Sequence, residues 1–226
     1  MLASTYETLQ DNSTHGEDSF LVRDLGGGNF LDVVLDGVTG HGGGEASQGV
    51  AAALETASIT STGDLIAVLE DQNAEFFQVG GGRFLLTTIT AALMLDGKVH
   101  VIHAGDSPCY HIQTDSFQQL AGRIGGLLRP GATKVLGSSE ELSLSSEEIT
   151  VAPGDRLLLA TDGISDNVPT AELVQAVRDA ASPGQAASRI ESMVATRLEH
   201  GLVPEQLGGR YRHDDQTAIL RFFDSS

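Results

Sequence analysis

Acidic residues stand at the ends of apolar segments at four widely separated places in the chain. A carboxylate in that position is held by a rigid strand and still reaches solvent, which suits a ligand for a hard cation. A glycine directly after the aspartate lets the backbone carbonyl turn toward the same ion. The four places are Glu17-Asp18, Asp36-Gly37, Asp162-Gly163 and Asp214-Asp215. If they converge in one cleft between two sheets, they form a metal site.

The simpler interpretation of an Asp-Gly pair is a turn, because both residues favour turns. Residues 36–47, DGVTGHGGGEAS, are too elaborate for that, since they end one apolar run and open a helical segment with several glycines and a histidine. The acids also lie beside different kinds of element, which share little turn chemistry. We therefore interpret the set as a cation site.

The charge balance is strongly acidic, with 31 Asp and Glu against 13 Lys and Arg and a net charge of −18. Nucleic-acid binding requires Lys and Arg to replace the counterions of the phosphates, so a nucleic-acid partner is not expected. Solubility accounts for most of the acidic surface. An anionic substrate would be repelled unless bound metal ions invert the local field.

The compartment is predicted from three features. The chain has no uninterrupted run of 18 apolar residues, the length expected of a membrane-spanning helix. The first residues also lack the basic-then-apolar pattern of a secretory signal. The single cysteine, Cys109, excludes an internal disulfide and fits a reducing compartment. We expect a cytoplasmic protein in which Cys109 is a small core residue rather than a nucleophile.

Alternating apolar residues predict β-strands, and helical periodicity predicts two pairs of helices. The strands are Phe20–Leu25, Phe30–Leu35, Phe84–Leu95, Val99–Ala104, Cys109–Ile112, Glu148–Val151, Arg156–Ala160 and Thr217–Phe222. The helices are Glu45–Ser58, Gly63–Phe77 (capped by Thr62 or Asp64), Pro169–Ala181 and Pro183–His200. Asp96-Gly97 and Pro153-Gly154 predict tight turns. Short turns favour antiparallel sheets, so we expect a sandwich of two such sheets with helices outside.

Five segments, in this order along the chain, resemble the motifs of the metal-dependent Ser/Thr protein phosphatases, the type 2C or PPM family. They are Glu17-Asp18-Ser19, DGVTGHGGGEAS at 36–47, TTITAALMLDGKVHVIHAGDSPCY at 87–110, GDRLLLATDG at 154–163 and HDDQT at 213–217. Each segment alone is a weak signal, and the ordered set is specific. The resemblance implies an α+β fold, a four-layer α-β-β-α sandwich with two central antiparallel sheets flanked by paired helices. It also implies a single domain over residues 1–226 with a metal centre at one edge.

The resemblance assigns the metal ligands. Asp36 would bridge two Mn²⁺ or Mg²⁺ ions, with the Gly37 carbonyl on one of them, while Asp162 and Asp214 complete the second ion's shell. Such a pair of ions activates a water that attacks the phosphorus directly, without a phosphoenzyme. The implied activity is that of a protein serine/threonine phosphatase, EC 3.1.3.16.

The same resemblance gives supporting roles to other acids, and the histidines are judged by their positions in the sequence. Glu17 and Asp18 would hold metal-bound waters, and Asp106 would serve a third, weaker metal site with Asp162. His41 is a candidate proton donor to the leaving group, with packing of its loop as the alternative. The remaining assignments are Asp215 as a supporting residue, His213 as a further candidate, and His100, His103 and His111 as structural strand residues.

Departures from the family pattern concern substrate binding. No Arg precedes Glu17-Asp18, where members often carry one that binds the substrate phosphate; the candidate cations are His15 and, more remote, Arg83, Arg123 and Arg129. Thr39, Leu86 and Pro108 also depart from the usual residues. The short segment between His111 and Gly154, with a compact loop IGGLLRPGATKVLGSSEE, resembles the bacterial stress-response and sporulation branch.

The expected partner is a phosphorylated protein, either a target of a Ser/Thr kinase or a small regulatory protein. Two alternatives remain open: an inactive scaffold with the same fold, motivated by the missing Arg, and a hydrolase of a small phosphomonoester or acyl phosphate. Nucleotide binding is not supported, because the chain has neither Gly-x-x-x-x-Gly-Lys nor a strand-bound Gly-x-Gly-x-x-Gly.

Overall fold

A computed structural model describes residues 2–122, 134–200 and 213–225, which form two five-stranded antiparallel sheets and five helices. The first sheet has the strand order β1-β10-β9-β6-β7 and the second β2-β3-β4-β5-β8. The strands are β1 Leu2–Asp11, β2 Ser19–Gly26, β3 Asn29–Leu35, β4 Ile89–Leu95, β5 Lys98–Ala104, β6 Cys109–Ile112, β7 Phe117–Ala121, β8 Ser145–Thr150, β9 Arg156–Ala160 and β10 Gln216–Ser225. The helices are α1 Gly43–Thr56, α2 Thr62–Gly80, α3 Asp162–Ser165, α4 Thr170–Arg178 and α5 Pro183–His200.

Three apolar clusters stack the elements into four layers. Side chains alternate across each strand, so in β3 Leu31 and Val33 pack under α1 and α2 while Phe30 and Val34 face the other sheet. A third cluster lies between the first sheet and helices α4 and α5. The predicted α-β-β-α sandwich of two antiparallel sheets is therefore confirmed.

The sequence missed two edge strands and the short helix α3. β1 and β7 lie at the two edges of the first sheet, and most of their residues are exposed or half-buried, so neither carries a strong apolar signal. α3 is only one turn long, below the length at which periodicity is readable.

Several boundaries also move. The strand predicted to start at Phe84 starts at Ile89, because Leu85 adopts a left-handed conformation, φ 58°, that interrupts extended structure. Ser61, rather than Thr62 or Asp64, caps α2: its hydroxyl accepts the Asp64 amide at 3.1 Å. The Asp96-Gly97 hairpin is confirmed, since both residues have positive φ.

A buried ion pair joins the two sheets inside the sandwich. The Arg221 guanidinium on β10 donates two hydrogen bonds, 2.6 and 2.7 Å long, to the Asp32 carboxylate on β3. The guanidinium also lies 3.8 Å from the ring centre of Phe30 and 4.9 Å from that of Tyr6. Burial raises the pKa of Asp32, and Arg221 opposes that rise. The pair is thus a specific polar contact between the two sheets, beside the apolar cluster that they share.

Candidate metal centre

The predicted acidic residues gather at one edge of the sandwich. Asp36 follows β3, Asp162 follows β9 and begins α3, and Asp106 follows β5. Asp18 and Asp214 precede β2 and β10. Their proximity shows in the electrostatics: burial raises the pKa of Asp36 well above its usual range, and the charges of nearby carboxylates raise it further. Those carboxylates belong to Asp162, Asp18, Asp106 and Asp214.

The donor set fits a divalent cation. The carboxylates around Asp36 and Asp18 raise the pKa of these two groups, so a positive charge is needed if they are to be ionised. Carboxylate oxygens are hard ligands of the kind that Mg²⁺ and Mn²⁺ prefer. Within the described ranges, the Glu17 Oε2 atom is buried and has no hydrogen-bond partner. In the same ranges no three His, Cys, Asp or Glu side chains are arranged as a metal-binding group. The acids are therefore neighbours, but their side chains do not form a complete coordination site.

Asp18 is held by threonine side chains at the edge of the other sheet. The Thr161 hydroxyl donates to Asp18 Oδ2 at 2.8 Å and itself accepts the Thr217 amide at 3.0 Å. Burial raises the pKa of Asp18 to about 7; the hydrogen bonds from Thr161 and Thr217 lower it, and the charges of Asp215 and Asp162 raise it. Asp18 therefore takes up a proton near neutral pH unless a cation is close.

The Asp36-Gly37 turn is fixed by a neighbouring pair of threonines and by backbone packing. The Asp36 amide donates to Thr88 Oγ1 at 3.0 Å, and the Thr87 hydroxyl donates to the Asp36 carbonyl at 3.0 Å. A Cβ on Gly37 would lie 2.3 Å from the Gly43 carbonyl carbon and 2.6 Å from the Glu17 carbonyl oxygen. Only glycine at position 37 allows the start of α1 and the Glu17 loop to come this close to the chain after Asp36.

Asp215 organises the loop that carries Glu17 and Asp18, a role that the sequence did not reveal. Its carboxylate accepts three backbone amides, from Thr14 at 3.1 Å, His15 at 2.9 Å and Glu17 at 2.7 Å. A Cβ on Gly163 would lie only 2.0 Å from the Asp215 carbonyl oxygen. The Asp162-Gly163 and Asp214-Asp215 segments are thus packed against each other and against the N-terminal loop.

The candidate cations and histidines have different surroundings. His41 is exposed, and its Nδ1 lies 2.7 Å from the Arg83 carbonyl. His15 Nε2 lies 4.0 Å from Asp214 Oδ1. His213 is exposed beside Asp214, whereas Arg123, Arg129 and part of the predicted compact loop lie outside the described residues.

The residues predicted to be structural lie in strands. His100 and His103 are on β5, and His111 on β6 contacts Asp155 at 2.8 Å in a buried pair. Cys109 is fully buried on β6, and burial raises the pKa of its thiol, which opposes thiolate formation.

Comparison with known proteins decides the family. The profile of the stage II sporulation protein E (SpoIIE) family matches residues 27–221, most of the chain. The chain belongs to the SpoIIE family, a bacterial branch of the type 2C (PPM) phosphatases. The matched span contains Asp36, Asp106, Asp162 and Asp214, and it begins after Glu17 and Asp18. Family membership confirms the resemblance drawn from the motifs, while the ligand role of each residue stays a prediction.

Relatives and solved structures agree with this family. The serine/threonine phosphatase stp of Listeria innocua is 24% identical over 196 residues, covering 73% of this chain and 78% of that protein. PppA, a regulatory component of the type VI secretion system of Pseudomonas aeruginosa, has a TM-score of 0.78 at 22% identity, with 97% of each chain covered. The catalytic domain of the phosphatase PstP, solved with two manganese ions, has a TM-score of 0.76 at 23% identity and covers each chain fully. In the described part of this chain, no helix is long and apolar enough to cross a membrane.

Proposed function

We propose that the chain is a Mn²⁺- or Mg²⁺-dependent protein serine/threonine phosphatase, EC 3.1.3.16. The observation that carries the proposal is the group of carboxylates at one edge of the sandwich around Asp36, whose negative charges act together on that buried side chain and favour a bound cation. Support also comes from the family and from relatives named serine/threonine phosphatases, one of them solved with two manganese ions.

In this proposal the chain's own residues hold two ions, with a third at a weaker site. Asp36, the Gly37 carbonyl, Asp162 and Asp214 bind the two ions, and Asp106 takes part in the third site. Glu17 and Asp18 accept hydrogen bonds from water at the same edge. The ions, when bound, supply the positive charge that makes water a nucleophile near neutral pH and offsets the charge of the phosphate.

His41 is proposed to give a proton to the serine or threonine oxygen that leaves. The Arg83 carbonyl can only accept a hydrogen bond, so the His41 Nδ1 atom 2.7 Å away must carry hydrogen. That leaves Nε2 as the nitrogen that gains or loses the catalytic proton. The contact with Arg83 also orients the ring.

The proposed substrate is a phosphoserine or phosphothreonine side chain of another protein, either a kinase target or a small regulatory protein. We further propose that residues 1–226 act as one domain and that the reaction takes place in the cytoplasm.

The test measures hydrolysis of p-nitrophenyl phosphate, a phosphoserine peptide and acetyl phosphate with EDTA, Mg²⁺ or Mn²⁺, for wild type and Asp162→Asn. We expect turnover only with added metal, a preference for the phosphopeptide, and a loss of at least about a hundredfold in the variant. A folded wild-type protein without metal-dependent turnover would support the scaffold alternative. Preference for acetyl phosphate would support the small-molecule alternative.

A further inference from the structure

Residues 81–86, in the segment between α2 and β4, lie beside the Asp36–Gly43 loop. The Val38 amide donates to the Leu86 carbonyl at 2.9 Å, and the Leu86 amide donates to the His41 carbonyl at 3.3 Å. The Arg83 carbonyl contacts His41 Nδ1 at 2.7 Å. Three contacts therefore attach this segment to the loop that carries Asp36 and His41.

The backbone of this segment displays an aromatic side chain in a fixed place. Leu85 has φ 58°, a conformation that bulky residues rarely adopt. This turn buries Leu85 and Leu86 and leaves Phe84 46% exposed. The ring lies against Gly42, where a Cβ would come within 2.8 Å of Phe84 Cζ. Phe84 is thus an exposed apolar side chain supported by the loop that carries Asp36 and His41.

Arg83 differs from most described cations of the chain. Most lysine and arginine side chains bond to a backbone carbonyl or a carboxylate, namely Arg23, Lys98, Arg156, Arg178, Arg189, Arg197 and Arg221. Within the described ranges, the side chains of Arg83 and Lys134 make no such bond, and Arg83 is exposed. The described part of the fold therefore does not use the Arg83 charge, although the chain carries a net charge of −18.

We propose that Arg83 and Phe84 bind the polypeptide next to the phosphorylated residue of the substrate, and this rests on the proposed phosphatase function. Arg83 would pair with an acidic side chain and Phe84 would pack against an apolar one. Guanidinium binds carboxylate through paired hydrogen bonds, and Arg and aromatic residues dominate binding surfaces. An acidic substrate is repelled by most of this protein's surface. An exposed cation on the segment that contacts the Asp36–Gly43 loop would therefore favour binding there.

The test compares two phosphoserine peptides that differ only beside the phosphoserine, one with Glu and Leu and the other with Lys and Leu. We expect wild type to prefer the Glu peptide. Arg83→Gln should lower kcat/KM on the Glu peptide about tenfold, through KM, while kcat/KM on p-nitrophenyl phosphate stays unchanged. Arg83→Glu should reverse the preference toward the Lys peptide. Phe84→Ala should weaken the binding of both peptides, and so raise KM for each. Lys98→Gln, which removes the same charge from a distant exposed ion pair, is the matched control.

An equal loss on both peptides and on p-nitrophenyl phosphate in Arg83→Glu would overturn the inference, because the segment would then act only through the shape of the Asp36 loop. An unchanged preference would also overturn it. Fluorescence anisotropy of the same peptides on the Asp162→Asn variant, with and without Arg83→Glu, separates the two proposals. Charge-dependent binding without any wild-type turnover would overturn the phosphatase function alone.

Discussion

Two aspartates of one strand segment illustrate two ways in which this fold treats a buried charge. Asp32 lies within β3 between the sheets, and Asp36 follows the end of the same strand. Burial raises the pKa of both carboxyls. Asp32 has a guanidinium at 2.6 Å, whereas the charged groups that act on Asp36 are other carboxylates.

The contrast separates a structural charge from a functional one. At Asp32 the chain supplies the counter-charge itself, and the pair joins the sheets. At Asp36 the neighbours increase the cost of ionisation, which is a stability cost that the core does not require. A bound cation would supply the counter-charge that the chain itself does not provide at Asp36, which accounts for such a cost at a functional site. Substitutions at the two positions should therefore have opposite effects on stability.

The largest expected effect is on activity, from Asp36→Asn. Removing this charge takes away the central proposed ligand, so metal-dependent hydrolysis of p-nitrophenyl phosphate should fall at least about a hundredfold. The metal-free variant should unfold at a higher urea concentration than wild type, because the repulsion at the edge is relieved. The control is Asp96→Asn, the same change in an exposed hairpin turn that tolerates asparagine. An Asp36→Asn variant that is active with Mn²⁺ would contradict the comparison.

Asp32→Ala should instead destabilise the protein by about 3–5 kcal/mol. The change leaves Arg221 buried without its counter-ion, and the cost of such an unpaired charge exceeds the cost of the lost contact. Urea unfolding measures the loss. The double variant Asp32→Leu/Arg221→Met should recover part of the stability, since both charges are then removed together. If the double variant is less stable than Asp32→Ala, the ion pair is not the reason for the effect.

Asp18→Asn tests the cost of an uncompensated buried carboxylate through the pH dependence of stability. The folded pKa of Asp18 is about 7 against an ordinary value of 3.8, so the metal-free protein loses stability as pH rises between these values. Asparagine retains an acceptor for the Thr161 hydroxyl and has no such loss. In EDTA, the variant should be more stable than wild type at pH 8, by on the order of 4 kcal/mol, with the difference vanishing toward pH 4. A difference that grows toward acid would contradict this assignment.

The sequence located the acidic edge well because the relevant signals are local. An aspartate at the end of an apolar run can be recognised from its neighbours, and the fold then brought Asp36, Asp162 and Asp214 to the same edge. The ordered motifs pointed to the family that the profile match confirms. The helix and strand pattern likewise predicted the four layers.

The missed features depend on which distant residues the two sheets bring together. Asp32 and Arg221 lie on strands of different sheets, and nothing in either local sequence predicts that they pair. β1 is a mostly polar edge strand that pairs with β10, so its assignment requires knowledge of the partner. The role of Asp215 was hidden for the same reason, because the amides that it accepts lie near the other end of the chain.

The smallest expected effect is on stability, from substitutions of Asp215. This carboxylate represents a third way of compensating a buried charge, by hydrogen bonds from backbone amides. Asp215 is 2% exposed and accepts the amides of Thr14, His15 and Glu17. Asp215→Asn keeps the acceptor for two of them but turns an amide group toward the Glu17 amide, so the loss of stability should be about 1 kcal/mol. Asp215→Ala removes all three acceptors and should cost about twice as much.

Urea unfolding of both variants with EDTA and with Mn²⁺ checks this prediction. The loop that Asp215 holds carries Glu17 and Asp18, so a looser loop should weaken metal binding as well as folding. Stabilisation by Mn²⁺ should therefore be smaller in Asp215→Ala than in Asp215→Asn. Equal Mn²⁺ binding and equal unfolding midpoints in the two variants would contradict this prediction. Water would then satisfy the three amides, and Asp215 would be grouped with the carboxylates that need a bound cation.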